Sequence, residues 1–331
     1  MLHGFHDLAL NEGEEPPRRA AAFDGIRWDG DLPWYQKAII WLLQLGSIPG
    51  HVAVMPDGNR RFAKRTSTDL RHAYVIGTLL YERVCGWCLR TGVQCVTTFF
   101  LAVRHLQRST TEKAALLSGT VDTWAERMRN LKWVRSLGLE LRYVGRLDLL
   151  PEKYMVKLAA LEVATSELIR RRKALTLTIE GSKIQMEQLA LQLAKGLKAG
   201  IIQREDITAE LIDGCLGLAE CPEADMLWRF AGLRFSDFVV PQCSYAYLKM
   251  ERKTWEDVGF SDWTVAVLLY QLHWPCIAAV KGRHAQLLKS KAGTQSFLQV
   301  LRQRKFMVHI EASRSAYIAE SLAKCGNLDT L

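Results

Sequence analysis

Five consecutive residues, Asp57-Gly-Asn-Arg-Arg61, carry the densest chemistry in this chain. They close an apolar run in the stretch HVAVMPDGNRRFAKR, residues 51–65. Gly58 lets a backbone approach an anion closely. Successive N–H groups ahead of a helix form an anion-binding concavity. Arg60 and Arg61 add guanidinium forks that match phosphate oxygens. Asp57 would repel a bare diphosphate, so it belongs beside one only if a divalent cation lies between them. Magnesium is commonly held by one or two carboxylates together with substrate phosphates. The stretch therefore reads as a magnesium-assisted diphosphate site, with Asp57 on the metal. On the residues alone, an Asp-Gly turn with solvated arginines is an equal reading.

Such a loop has to be positioned by regular elements. Apolar periodicity predicts strands at 51–55, 93–100, 139–145, 174–181, 226–230 and 237–242. Helices are expected over 33–46, about 72–91, 111–136, 152–173, 184–199, 207–216 and 261–273. Alternating strands and helices imply an α/β fold: one domain with a mostly parallel central sheet flanked by helices. Ligands in such folds sit at the carboxyl ends of the strands. Asp57, His105, Arg146, Glu180 and Arg229 all fall at or just past predicted strand ends. The domain is expected to span 33–275, between an N-terminal extension, 1–32, and a basic C-terminal tail, 276–331.

The formal charge of +9 favours an anionic partner. Nucleic acid is not expected, because the basic residues are dispersed and the known nucleic-acid motifs are absent. The eight cysteines are scattered through apolar stretches, as in a reduced intracellular chain. Cys85-Gly-Trp-Cys88 has redox-motif spacing but lies inside a helical pattern, so core packing is the expectation. The first residues do not read as a signal peptide. No stretch reads as the roughly 18–20 apolar residues of a membrane span. Residues 32–46 suit an amphipathic helix over an apolar mouth or on a membrane surface.

HVAVMPDGNRRFAKR resembles the first signature of the cis-prenyltransferases, the undecaprenyl and dehydrodolichyl diphosphate synthases. LRYVGRLDLLP, residues 141–151, and the segment from Ile207 to Gln242 are similar to later parts of that family. The resemblance implies the family's fold with an apolar tunnel, Mg2+ as cofactor and a homodimer. It also implies a cytoplasmic protein with peripheral contact to the endoplasmic reticulum membrane. An allylic diphosphate of the farnesyl type would bind at the first loop, through Gly58, Asn59, Arg60, Arg61 and Arg108. Asp57, Asn59 and Arg61 would be catalytic, and Asp57 would hold the metal. Arg229, Arg234 and Ser236 match the second diphosphate site, where isopentenyl diphosphate binds in the family.

The departures fall on one half of that pattern. Leu101, Ala102 and His105 stand where the family has Phe, Ser and Asn for condensation. Ala73 and Tyr74 replace a glycine-histidine pair. Ala231, Gly232 and Leu233 replace Ser-Gly-Glu, and Tyr247 stands at the family's second metal-binding glutamate. The allylic site is kept while the isopentenyl-positioning groups are thinned. The expected activity is therefore ionisation of an allylic diphosphate without elongation, as in a noncanonical terpene synthase or cyclase. Chain elongation with isopentenyl diphosphate is the alternative. Phe62, Phe99, Phe100 and Trp124 could shield a carbocation, although ordinary core packing is the stronger expectation for each.

Overall fold

The computed structural model of the 331-residue chain describes residues 32–128, 139–166, 173–178, 181–216, 221–236, 238, 241–291 and 295–323. Its centre is a sheet of six parallel strands: β1 His51–Met55, β2 Cys95–Phe99, β3 Leu139–Val144, β4 Lys173–Thr178, β5 Met226–Arg229 and β6 Tyr247–Met250. Their order is β3-β4-β2-β1-β5-β6. Val52 is in register with Val96 on one side and Met226 on the other. Every residue of β1 and β2 is buried, as continuous β-branched and apolar runs require in a sheet covered on both faces.

The helices are α1 Trp34–Leu43, α2 Asn59–Thr66, α3 Leu70–Thr91, α4 Thr110–Leu117, α5 Thr123–Met128, α6 Glu152–Ser166, α7 Ser182–Lys198, α8 Ala209–Leu216, α9 Phe260–Lys291 and α10 Phe297–Ala323. The Asp69 side chain caps α3 by accepting from the His72 N–H, and Gly92 ends that helix in the left-handed conformation. Cys85 and Cys88 sit in the middle of α3 and are buried in the core, as expected. Burial pushes both thiols well above their ordinary value, which makes them unreactive packing groups. One helix was expected across 111–136. Instead a five-residue π-helical turn, Ser118–Asp122, separates α4 from α5, and residues 129–138 lie outside the described residues.

Three other expectations change. The strand expected at 237–242 does not form over its described residues. Pro241–Cys243 is a turn of 3-10 helix, and Pro241 has no N–H to give a ladder. The sixth strand is Tyr247–Met250, too short to signal itself through alternation. The helix expected at 261–273 continues through Pro275 to Lys291, across the expected boundary at 275. It holds a stretch, Phe260–Leu287, long and apolar enough to cross a membrane, which the sequence reading did not register. Trp263, Ala266, Val267 and Tyr270 of that stretch are nevertheless fully buried in the protein core.

Much of the expected basic tail is helical and belongs to the core. Phe306 of α10 is buried with Ile202 and Leu211. Arg302 grips the buried Asp206 carboxylate at 2.6 and 2.7 Å. Arg314 reaches Glu162 of α6 at 2.6 Å and the Tyr143 carbonyl at 2.9 Å. On α1, by contrast, Trp34 and Trp41 stand largely in solvent.

Candidate functional site

The carboxyl ends of β1, β2 and β5 open into a cleft of about 930 Å³. β1 delivers Pro56 and Asp57, and the chain then turns sharply into α2. Gly58 makes that turn at φ 112°, and an added Cβ would lie 2.8 Å from the Thr254 side chain. Only glycine fits there on both counts. α2 starts at the cleft with no side-chain cap on its first N–H groups.

Seven cationic side chains line the cleft: Arg60, Arg61, Lys64, Arg104, Arg108, Arg229 and Arg234. Asp57 is the one carboxylate among the lining residues. Arg229, 1% exposed, donates from Nη2 to Asp57 Oδ2 at 2.8 Å. The Gly58 N–H donates to Asp57 Oδ1 at 2.7 Å. Burial alone would raise the Asp57 pKa. The hydrogen bond and charge of Arg229, with Gly58 and Arg61, outweigh it and hold the carboxyl below its ordinary value. Arg104 is held below the usual arginine value, first by burial and then by Arg234, Arg229 and Arg108, although Asp57 pulls the other way. This crowding of like charge is relieved by a polyanion.

Two buried donors point to that anion. Arg229 Nη1 and Ser236 Oγ have no hydrogen-bond partner. Arg229 ends β5 and Ser236 lies in the segment that follows, where Ala231 and Ser236 both take positive φ, 55° and 49°. Such conformations cost about 1–3 kcal/mol each and persist where the surroundings impose them. Arg229 Nε is tied back to the Arg234 carbonyl at 3.0 Å, and Arg61 Nη2 donates to the Ala231 carbonyl. The segment is thus locked against the first loop.

His105 also faces the cleft. The Ala102 N–H donates to its Nδ1 at 3.2 Å. Burial, then Arg108 and Arg104, lower its pKa to about 3. The ring is therefore neutral, with its proton on Nε2: a hydrogen-bond donor and not a general base. Arg108 donates to the Tyr74 hydroxyl at 2.7 Å and pairs with Glu112 at 3.0 Å.

The residues expected from sequence divide as follows. Asp57, Gly58, Arg60, Arg61, Arg108, Arg229 and Arg234 come together in the cleft. Asn59 does not line it. Its Oδ1 faces Gly77 of α3, so only its backbone serves the loop. Ser236 lies just behind, on the same segment as Arg234. Arg146 is elsewhere, paired with Asp148 at 2.5 Å, while Glu180 and Asp237 lie outside the described residues. Asp57 is the described carboxylate that pairs with Arg229. Tyr247 is not in the cleft. It opens β6 in register with Met226, three residues before the level of Arg229, and stacks on His273 of α9. Arg104 and Lys64 were missed, although Arg104 lies only four residues before Arg108.

Phe62, Phe99 and Trp124 are buried in the core, as the stronger expectation held. Tyr81, Trp124 and Tyr143 are buried together in the main core, with the partly buried Phe100 beside them. Trp124 Nε1 donates to the Tyr143 hydroxyl at 3.0 Å, and the Tyr81 and Phe100 rings lie 5.7 and 6.4 Å from Trp124.

Another unexpected feature backs the first loop. The Trp255 N–H donates to the Asp57 carbonyl at 2.9 Å, and its indole donates to the Gly77 carbonyl at 2.7 Å. The neighbouring Glu256 carboxyl is buried with both oxygens unpartnered. Burial, more than any nearby charge, pushes its pKa up to about 8.

The described residues hold no cluster of three metal-ligating side chains. Asp57 is 42% exposed at the cleft and ionised, which fits a magnesium ion that arrives with a diphosphate supplying further oxygens.

The undecaprenyl diphosphate synthase family model matches residues 55–274. The dehydrodolichyl diphosphate synthase complex subunit of Mus musculus is 25% identical over 80% of this chain and 79% of its own. A geranylgeranyl-diphosphate-specific tritrans,polycis-undecaprenyl-diphosphate synthase of Pyrobaculum aerophilum is 30% identical over 67% of this chain and 93% of its own. The crystal structure of lavandulyl diphosphate synthase from Lavandula x intermedia shares the fold, with TM-score 0.61 at 21% identity, over 67% of this chain and 95% of that one. The loop, the sheet and the matched span agree, and the chain belongs to the undecaprenyl diphosphate synthase, or cis-prenyltransferase, family as a diverged member.

Proposed function

We propose that this prenyl-diphosphate-utilising enzyme ionises an allylic diphosphate of the farnesyl type and turns the resulting cation into a terpene by cyclisation or elimination, the proton lost at the end passing to the released diphosphate. The observation that carries this reading is the cleft's charge: seven cations around one carboxylate, at a helix N-terminus. Such an array favours the leaving diphosphate over the intact ester, because charge on the leaving group grows as the C–O bond breaks. Arg60, Arg61 and Arg108 would hold the diphosphate, with the His105 Nε2–H as a further neutral donor. Asp57 would hold magnesium, which would supply Lewis-acid pull on the leaving oxygens.

Two features support an outcome without elongation. Leu101 and Ala102 are buried and apolar where the family's condensation groups stand, and His105, which replaces the family's Asn, has its Nδ1 held by the Ala102 N–H.

A second reading, chain elongation with isopentenyl diphosphate, is favoured by the unpartnered Arg229 Nη1 and Ser236 Oγ, which could receive another anion. Incubation with magnesium and farnesyl diphosphate, with and without isopentenyl diphosphate, separates the two by mass spectrometry. A hydrocarbon or alcohol from farnesyl diphosphate alone is expected. Longer prenyl diphosphates, formed only with both substrates, would establish elongation instead.

A further inference from the structure

A second cavity of about 510 Å³ opens beside the edge strand β3 and shares no lining residue with the diphosphate cleft. Along β3, Leu139 and Leu141 are buried in the main core, whereas Arg142, on the opposite side of the strand, lines this cavity together with the run Tyr143–Leu147. α7 and α8 form one wall. α10 forms the other and lies wholly beyond residue 274, where the family match ends.

Its chemistry is unlike that of the cleft. The walls are largely aliphatic, with Leu189, Met307 and Ile318 among them. The lining arginines are each paired with a carboxylate: Arg142 with Glu311 at 2.5 Å, Arg146 with Asp148 at 2.5 Å and Arg314 with Glu162 at 2.6 Å. No excess of positive charge calls for an anion. Gln185 is only 8% exposed, yet its Nε2 has no partner. Gln242 Nε2, which donates to the Leu216 carbonyl at 2.6 Å, lies 3.5 Å from Gln185 Oε1 and so leaves the Gln185 NH2 as the free end. Arg142 Nε is a second buried donor without an acceptor. Gln188 and Gln192 follow Gln185 along one face of α7 at helical spacing. An apolar cavity of this size with a few convergent polar groups is the usual form of a small-molecule site, which spans about 300–1,000 Å³.

We infer that this cavity binds a neutral aliphatic molecule carrying an acceptor oxygen, such as a long-chain alcohol, with the oxygen at Gln185 Nε2 and Arg142 Nε and the chain along Leu189, Met307 and Ile318. The inference does not depend on the reaction proposed for the cleft.

Equilibrium binding of farnesol, a prenyl alcohol, tests it, with a non-hydrolysable farnesyl thiodiphosphate present to block the cleft. One saturable site is expected, with slowed hydrogen exchange in α7 and α10. Met307→Trp, which fills the cavity, should abolish it. Gln185→Leu, close in shape but without the donor, should weaken it several-fold. Should Met307→Trp fail to fold, Gln192→Trp at a half-buried position fills the same space. Farnesol binding that vanishes when the cleft is blocked, or that is equal in wild type, the tryptophan variant and Gln185→Leu, would overturn the inference.

Discussion

Asp57 pairs with Arg229 and is the proposed magnesium ligand, and Asp57→Ala undoes both. The variant loses the carboxylate that suits magnesium, and it leaves the buried Arg229 guanidinium without its counter-charge. A broken buried pair typically costs about 3–5 kcal/mol; Asp57 is partly exposed, so about 2 kcal/mol is expected, read from urea unfolding. Turnover should fall at least tenfold, equivalent to about 1.4 kcal/mol of barrier. Retention of more than a tenth of wild-type turnover would place the metal elsewhere. The titration of single residues adds a pH signature. His51 and His105 are kept neutral, with pKa values lowered to about 4 and about 3. The unfolded chain protonates its histidines near 6.5, so the unfolded state binds more protons below that pH and these two groups reduce stability as pH falls toward 4. Glu256 acts in reverse. It stays protonated in the fold up to about pH 8 but ionises near 4.5 when unfolded, so it costs stability as pH rises between those values. Glu256→Gln should therefore raise the thermal midpoint relative to wild type, and by more at pH 8 than at pH 5. A difference that stays constant from pH 5 to pH 8 would mean that the carboxyl is not held protonated.

At the scale of elements, the turn between β1 and α2 is the part with least tolerance. Gly58→Ala meets both a left-handed φ and the Thr254 side chain at 2.8 Å. It should shift the loop, remove most activity and cost about 1–3 kcal/mol. Wild-type kinetics in that variant would show that the turn can relax freely. This turn was readable from sequence because one short motif, DGNRR, fixes its backbone and charge together. The central strands were readable for a related reason: VAVM and CVTTF are apolar or β-branched throughout. β6 was not, because YLKM is short and half-exposed. Nor was the Arg229–Asp57 pair, since its partners are 172 residues apart and nothing local marks it. Tyr247 shows the limit of matching by motif. The alignment put it at a metal position, while the sheet register puts it at the opposite end of its strand from the cleft.

Across the whole molecule, the part beyond the family match is integral to the fold. The sequence from 276 onward reads as a basic tail because its charges are frequent and its chemistry is diffuse. Its apolar anchor, Phe306, is surrounded by residues about 100 positions earlier in the chain. Gly196 leaves room for that ring: an added Cβ there would lie 2.4 Å from it. Phe306→Ala should cost about 3–5 kcal/mol in urea unfolding. A loss below about 1 kcal/mol would mean that α10 is an appendage and not part of the core. The cleft itself is assembled from three strand ends, and the account of it stands on one claim: the site draws a diphosphate off an allylic substrate without needing a second prenyl partner. The most direct measurement is release of inorganic diphosphate from farnesyl diphosphate with magnesium, in the absence and then the presence of isopentenyl diphosphate. Steady release from farnesyl diphosphate alone, at a rate that isopentenyl diphosphate leaves unchanged, is the expected result. No release until isopentenyl diphosphate is added would contradict it.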